Sequence, residues 1–134
     1  QKMSKSYNNT IPLFDTEKKI RKKVMKIVTD TTEIDHPKDK NTPLFNLYSM
    51  FLNIDEQKNL SDRYDGTSLR YGDVKQELFE LIMDYFGPFR EKRESLVSNP
   101  MHVYEILKIG AEKASTVADE VLERVRTASG INYQ

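Results

Sequence analysis

Pro43-Leu44-Phe45-Asn46-Leu47-Tyr48-Ser49-Met50-Phe51-Leu52-Asn53 is the stretch on which the fold turns. Thr42 precedes it as an N-cap, and Pro43 takes the first helical position, where its missing N–H costs least. Leu44, Phe45, Leu47, Tyr48, Met50, Phe51 and Leu52 then place apolar groups nearly all round a helix over 43–53. A helix with no wet face belongs at the centre of a core and needs other helices around it. No alternating, period-two segment of useful length occurs anywhere in the chain, so no sheet is expected. The fold class that follows is all-α, a bundle of about five helices.

The flanking text supplies the partners. Residues 1–14 read as a loop, with Asn8-Asn9-Thr10 and Pro12 as turn material. Asp15 or Thr16 caps a first helix running to about Thr29, striped by Ile20, Val24, Ile27 and Val28. Residues 30–42 are polar and form a loop. Asp55 caps a short third helix ending near Tyr64, and Asp65-Gly66 makes a turn. From Asp73 to about Asn99 runs a long helix with Val74, Leu78, Leu81, Ile82, Tyr85, Phe89 and Leu96 as its buried stripe. Gly87-Pro88 predicts a kink or break there, because Pro88 cannot donate to the carbonyl of Asp84. Asn99-Pro100 starts a fifth helix to about Ser129, stopped by Gly130, with a buried stripe of Val103, Leu107, Ala111, Ala114, Val117, Val121 and Val125. The aromatics, among them Phe45, Tyr48, Phe51, Phe79, Tyr85, Phe86 and Phe89, sit at helical spacings and read as core, not as base-stacking platforms.

Composition narrows the function classes. The 134 residues suit one compact unit, and 37% apolar with 31% charged content suits a soluble helical domain. No apolar run approaches twenty residues and no charged-then-apolar leader is present, so neither a membrane span nor a signal peptide is expected. Without cysteine there are no disulfides and no thiolate ligands, in keeping with a reducing cytoplasm. His36 and His102 lack ligand spacing, and no metal site is expected. The net charge is zero but uneven: residues 1–28 carry eight basic groups against Asp15 and Glu17, so the remaining 106 residues sum to −6. A basic first quarter can dock a phosphate backbone, and Lys19, Lys22 and Lys23 are its densest part. The alternative is that Lys18 to Lys26 form the solvated face of a helix.

The chemistry-bearing string is Lys2-Met3-Ser4-Lys5-Ser6. Two lysines three apart, interleaved with hydroxyls, suit a loop that grips a polyphosphate: ammonium groups follow charge between oxygens, and serines donate without crowding. Short Lys/Ser runs also occur on solvated surfaces, and the spacing by itself leaves both readings open.

The longer string Lys2-Met3-Ser4-Lys5-Ser6-Tyr7-Asn8-Asn9-Thr10-Ile11 resembles the second signature of the class I aminoacyl-tRNA synthetases, in its bacterial tryptophanyl form. Tyr71-Gly72-Asp73-Val74-Lys75 and Ile106-Leu107-Lys108-Ile109-Gly110-Ala111-Glu112-Lys113-Ala114 resemble the same family, so the likeness covers essentially the whole chain. The tyrosyl relatives carry a Phe-Gly variant of the loop, which is not seen here.

The resemblance implies that Lys2 and Lys5 are catalytic, and that Lys2, Met3, Ser4, Lys5 and Ser6 bind ATP and stabilise charge on the departing pyrophosphate. It implies a domain division of 1–14 as catalytic loop and linker and 15–134 as a helical anticodon-binding domain. Asp30, Lys75, Lys19, Lys22 and Lys23 are the implied tRNA contacts; otherwise Asp30 only ends a helix and Lys75 is a solvated first-turn residue. ATP with Mg²⁺, tryptophan and tryptophan tRNA are the implied ligands of a complete, homodimeric, cytoplasmic enzyme. The strands, the Gly-rich turn and the first signature of a Rossmann-like catalytic domain do not appear, so the chain reads as a C-terminal part, inactive alone and with its own oligomeric state open. A stand-alone helical interaction module with a chance match to the loop is the competing reading.

Overall fold

The computed structural model describes residues 3–131. Five α-helices follow a 3-10 turn at Lys5–Tyr7: α1 Glu17–Met25, α2 Pro43–Ser49, α3 Ile54–Asp65, α4 Tyr71–Ser98 and α5 Pro100–Ser129. No strand occurs among the described residues, and the fold is all-helical as the sequence predicts.

The helix boundaries show where local chemistry overrides periodicity. α1 stops at Met25, four residues early, with Lys26 and Ile27 closing the last turn onto the carbonyls of Lys23 and Val24. Ile27-Val28-Thr29 is a β-branched run, stiff at χ1 and poor in a helix, and Val28 is 81% exposed. α2 ends at Ser49 instead of Asn53, because Asn53 is taken by the next helix. Its side chain accepts from the backbone N–H of Asp55 and Glu56, and Glu56 reaches back to the Asn53 N–H at 2.8 Å. This reciprocal capping box displaces Asp55 from the role expected of it. α4 begins two residues before Asp73 and runs through Pro88 without a break. One lost backbone bond at Pro88 is carried by the rest of a 28-residue helix. α5 keeps its expected limits, with the Asn99 side chain capping His102 and Gly130 stopping it at φ 69°.

The chain divides into two compact units, one up to Arg90 and one from Glu91. The core lies in the first. Ile20 and Val24 from α1, Leu44 and Tyr48 from α2, Leu60 and Tyr64 from α3, and Val74, Leu78 and Ile82 from α4 are buried there, with Leu69 beside them. Each such side chain withdrawn from water contributes about 2 kcal/mol. The aromatics divide: Phe45 and Phe51 pack against this core, whereas Tyr85 and Phe89 are 60% and 57% exposed. The expected stripe of α4 is therefore buried only as far as Ile82, with Leu81 half-buried beside it. In the second unit, no described residue of α5 is buried, and Leu107 and Val117 are more than 60% exposed. The stripe expected to be buried is present but uncovered. Periodicity specifies a face, and burial requires a second surface opposite it.

Candidate phosphate loop and RNA-facing surface

Lys2 lies outside the described residues. From Met3 onward the loop is folded on itself. The Ser4 hydroxyl caps the 3-10 turn by accepting from Ser6 N–H at 3.3 Å, and Tyr7 N–H donates to the Ser4 carbonyl at 3.2 Å. Asn8 closes the turn: its N–H donates to the Lys5 carbonyl at 3.0 Å, and its backbone is left-handed at φ 55°, which asparagine tolerates better than most residues. Asn9 closes the other side, its Oδ1 accepting from Ser4 N–H at 2.7 Å. Met3, Lys5 and Ser6 are exposed and Ser4 is half-buried, so this compact turn presents the Lys5 ammonium group to solvent.

The basic helix α1 runs beside it, and the fate of its lysines differs. Lys19 pairs with Asp15 one turn earlier at 2.9 Å, in an exposed i,i+4 arrangement that solvent screens. That ammonium holds the Asp15 carboxyl below its ordinary range. Lys22 is exposed. Lys23 is half-buried and turned toward the loop, where its Nζ donates to the Asn8 carbonyl at 3.2 Å and to the Asn8 side-chain oxygen.

Asp30 and Lys75, distant in sequence, come to one face of α4. The Tyr71 hydroxyl donates to both carboxylate oxygens of Asp30, and Thr32 N–H donates to its Oδ1 at 2.9 Å. Bonds from Thr32 first, and then from Tyr71, hold the Asp30 carboxyl below its usual range. One helical turn on from Tyr71, Lys75 is half-buried and its Nζ reaches the Met25 carbonyl at 3.4 Å. Desolvation pushes the Lys75 ammonium down from its ordinary pKa. Asp30 does not end α1, which stops at Met25; it is an exposed loop carboxylate held in place by Tyr71 and Thr32.

Two residues of this arrangement were missed in the sequence. Tyr71 opens the quoted string Tyr71-Gly72-Asp73-Val74-Lys75, and its i,i+4 spacing from Lys75 was the signal. Lys38 gave none. It is 5% exposed, its Nζ donates to the carbonyls of Thr32 (3.0 Å) and Glu33, and it lies 5.6 Å from the centre of the Tyr71 ring. A buried ammonium group satisfied by two carbonyls and an aromatic face gathers the polar loop 30–38 around Asp30.

A second polar network lies on the same helix. Arg63 grips Glu77 through two bonds of 2.8 Å, and the Tyr48 hydroxyl donates to the same carboxylate at 2.8 Å. A cavity of about 300 Å³ opens beside it, lined by Arg63, Thr67, Ser68, Arg70, Asp73 and Glu77. Elsewhere, Glu33, Asp35 and His36 bring ligand atoms within 4.8 Å of one another, all three exposed, with His36 Nδ1 on the Asp35 carboxylate at 2.9 Å.

A self-closed lysine–serine loop is thus tied to a basic helix, on a helical unit that also carries a fixed carboxylate. Residues 1–87 match the family described as tRNA synthetases class I (W and Y), and the chain belongs to that family. It is similar to the tryptophan–tRNA ligase of Fusobacterium nucleatum, 44% identical over 131 residues, covering 98% of this chain and 40% of the relative. The tryptophan–tRNA ligase of Rhodopirellula baltica is likewise 44% identical over 132 residues, covering 98% and 41%. The crystal structure of tryptophanyl-tRNA synthetase from Campylobacter jejuni superposes with a TM-score of 0.91 at 41% identity, over 97% of this chain and 42% of that one. The same enzyme complexed with ADP and tryptophan superposes equally well. The chain thus spans about 40% of the length of the curated relatives it matches. A likeness running along almost the whole chain is inconsistent with an unrelated module bearing a chance string.

Proposed function

We propose that this chain serves a tryptophan–tRNA ligase as its phosphate-contacting loop together with the helices that hold tryptophan tRNA by its anticodon. The whole enzyme joins the tryptophan carboxylate to the α-phosphate of ATP, releasing pyrophosphate, and then passes the tryptophanyl group to the terminal ribose of the tRNA. The observation that carries this reading is the continuity of the likeness to tryptophan–tRNA ligases through both the loop and the helical unit.

In this reading Lys5, with Lys2, supplies positive charge where it develops on the leaving pyrophosphate, and Met3, Ser4 and Ser6 line the nucleotide. Charge placed in advance lowers the barrier without a covalent step. Mg²⁺ arrives on the ATP phosphates and needs no protein cage. Asp30 accepts from a base amino group and Lys75 serves a base or phosphate, while the exposed α1 lysines Lys19 and Lys22 follow the RNA backbone. The enzyme acts in the cytoplasm as a homodimer. For the helices themselves, none among the described residues is long and apolar enough to cross a membrane.

Tryptophan-dependent ATP–pyrophosphate exchange tests this. Lys5→Ala in the full-length enzyme lowers the exchange rate by about 10²-fold or more, and the 134-residue chain alone gives none. Exchange at the unaltered rate in Lys5→Ala overturns the role of the loop.

A further inference from the structure

Lys23 stands apart from the other lysines of α1. Its neighbours on the basic face, Lys18, Lys19, Lys22 and Lys26, are exposed, whereas Lys23 is half-buried with its ammonium group committed to Asn8. It meets Asn8 twice, at the backbone carbonyl and at the side-chain oxygen. A lysine reaching fifteen residues back along the chain to take both acceptors of one residue fixes that residue's backbone and side chain together.

Asn8 is the residue where such a hold counts. Its left-handed backbone ends the 3-10 turn, and its N–H is bonded to the carbonyl of Lys5. The path is continuous: Lys23 ammonium, Asn8 carbonyl and amide oxygen, Asn8 N–H, Lys5 carbonyl. The remaining bonds of the turn, Ser4 to Asn9, Ser6 to Ser4 and Tyr7 to Ser4, lie within the loop and cannot place it relative to α1.

We infer that Lys23 is a positioning residue for the phosphate loop, a latch from the basic helix that sets where Lys5 stands through Asn8. The inference rests on the phosphate-loop part of the proposed function and removes Lys23 from the set of residues that follow the RNA backbone. Bonds from a charged donor are among the stronger ones available at a surface, and losing a pair of them frees a short loop while the buried core is untouched. Arginine is long enough, and carries donors enough, to replace lysine at two neighbouring oxygens.

The test compares Lys23→Met and Lys23→Arg. In the chain itself, amide hydrogen exchange at Tyr7 and Asn8 accelerates by about tenfold in Lys23→Met and returns toward the original rate in Lys23→Arg. The amides of α2, α3 and α4 keep their protection. In the full-length enzyme, Lys23→Met lowers kcat for ATP–pyrophosphate exchange by about tenfold, leaves the KM for tryptophan and the affinity for tryptophan tRNA unchanged, and Lys23→Arg restores the rate. Unchanged exchange at Tyr7 and Asn8 in Lys23→Met overturns the latch, as does a loss of tRNA affinity with a normal kcat. If instead Lys5→Ala retains full activity while the Lys23→Met loop amides still loosen, the phosphate-loop reading fails and the latch stands as a structural contact alone.

Discussion

The Tyr71 hydroxyl donates to both carboxylate oxygens of Asp30, at 3.0 and 2.9 Å, joining the first turn of α4 to the loop that follows α1. Because Thr32 N–H binds the same carboxylate, Asp30 is held ionised and fixed in direction. Burial first, and the Asp30 carboxylate with it, push the Tyr71 phenol well above its ordinary pKa, so it stays a donor throughout the neutral range.

Tyr71→Phe removes the aim but not the charge. It is expected to reduce discrimination between tryptophan tRNA and other tRNAs by several-fold with little effect on overall RNA affinity, since base contacts specify and phosphate contacts position. Asp30→Asn reduces discrimination further, by about 1–3 kcal/mol for a lost base contact. Competition binding with labelled cognate and non-cognate tRNA measures both.

Buried hydroxyls give a contrast in stability. Tyr64 is fully buried, and its hydroxyl has no hydrogen-bond partner among the described residues, whereas the Tyr48 hydroxyl is bonded to Glu77. Burial is the main reason that both phenols are pushed up to about 12. Tyr64→Phe is expected to leave the chain as stable or stabilise it. Tyr48→Phe should cost about 1 kcal/mol by taking a partner from a carboxylate. Urea unfolding of the two variants gives the order, and a large loss in Tyr64→Phe would mean that its hydroxyl is satisfied.

The Glu77 carboxyl is held below its usual range by the Arg63 guanidinium first and by the Tyr48 hydroxyl as well. A folded-state pKa below the unfolded value means a contribution complete above about pH 4.3 and lost as pH falls through the lower folded value. Arg63 and Glu77 are each more than a third exposed, so solvent screens the pair to about 1 kcal/mol or less. Glu77→Gln is expected to be less stable than the original near neutral pH and to close that gap near pH 3. Denaturant midpoints across the range show this, and a gap that widens in acid would contradict the assignment.

Much of the fold was legible. The Asn99-Pro100 start and Gly130 stop of α5 are fixed by caps that act within a few residues, so they read correctly. Boundaries that depended on competition did not: Asn53 outbids Asp55 for the cap of α3 because Glu56 completes its box. The stripe of α5 was visible in the sequence, but its exposure was not, since periodicity says nothing about what lies opposite. Around the candidate site, short strings single out Lys5 and Lys75, while Asp30 comes only from the resemblance, and the roles of all three stand as proposals. Lys38 and the Lys23–Asn8 contact were not legible, because a bond across tertiary space leaves no periodic trace.

Removing charge from α1 probes RNA contact separately. Lys19→Gln with Lys22→Gln is expected to weaken tryptophan tRNA and other tRNAs alike, and to flatten the salt dependence by about 0.7–0.9 log units per phosphate contact removed. Unchanged salt slopes would make this face a solvated one.

Whether the helical unit reads an anticodon is settled most directly by equilibrium binding of the 134-residue chain to two RNAs. One is tryptophan tRNA; the other is the same tRNA with a single anticodon base replaced. The chain is expected to bind the unaltered RNA about tenfold or more tightly, with Asp30→Ala bringing the two affinities together. Equal affinities for the two RNAs in the unaltered chain would rule out anticodon reading by this helical unit.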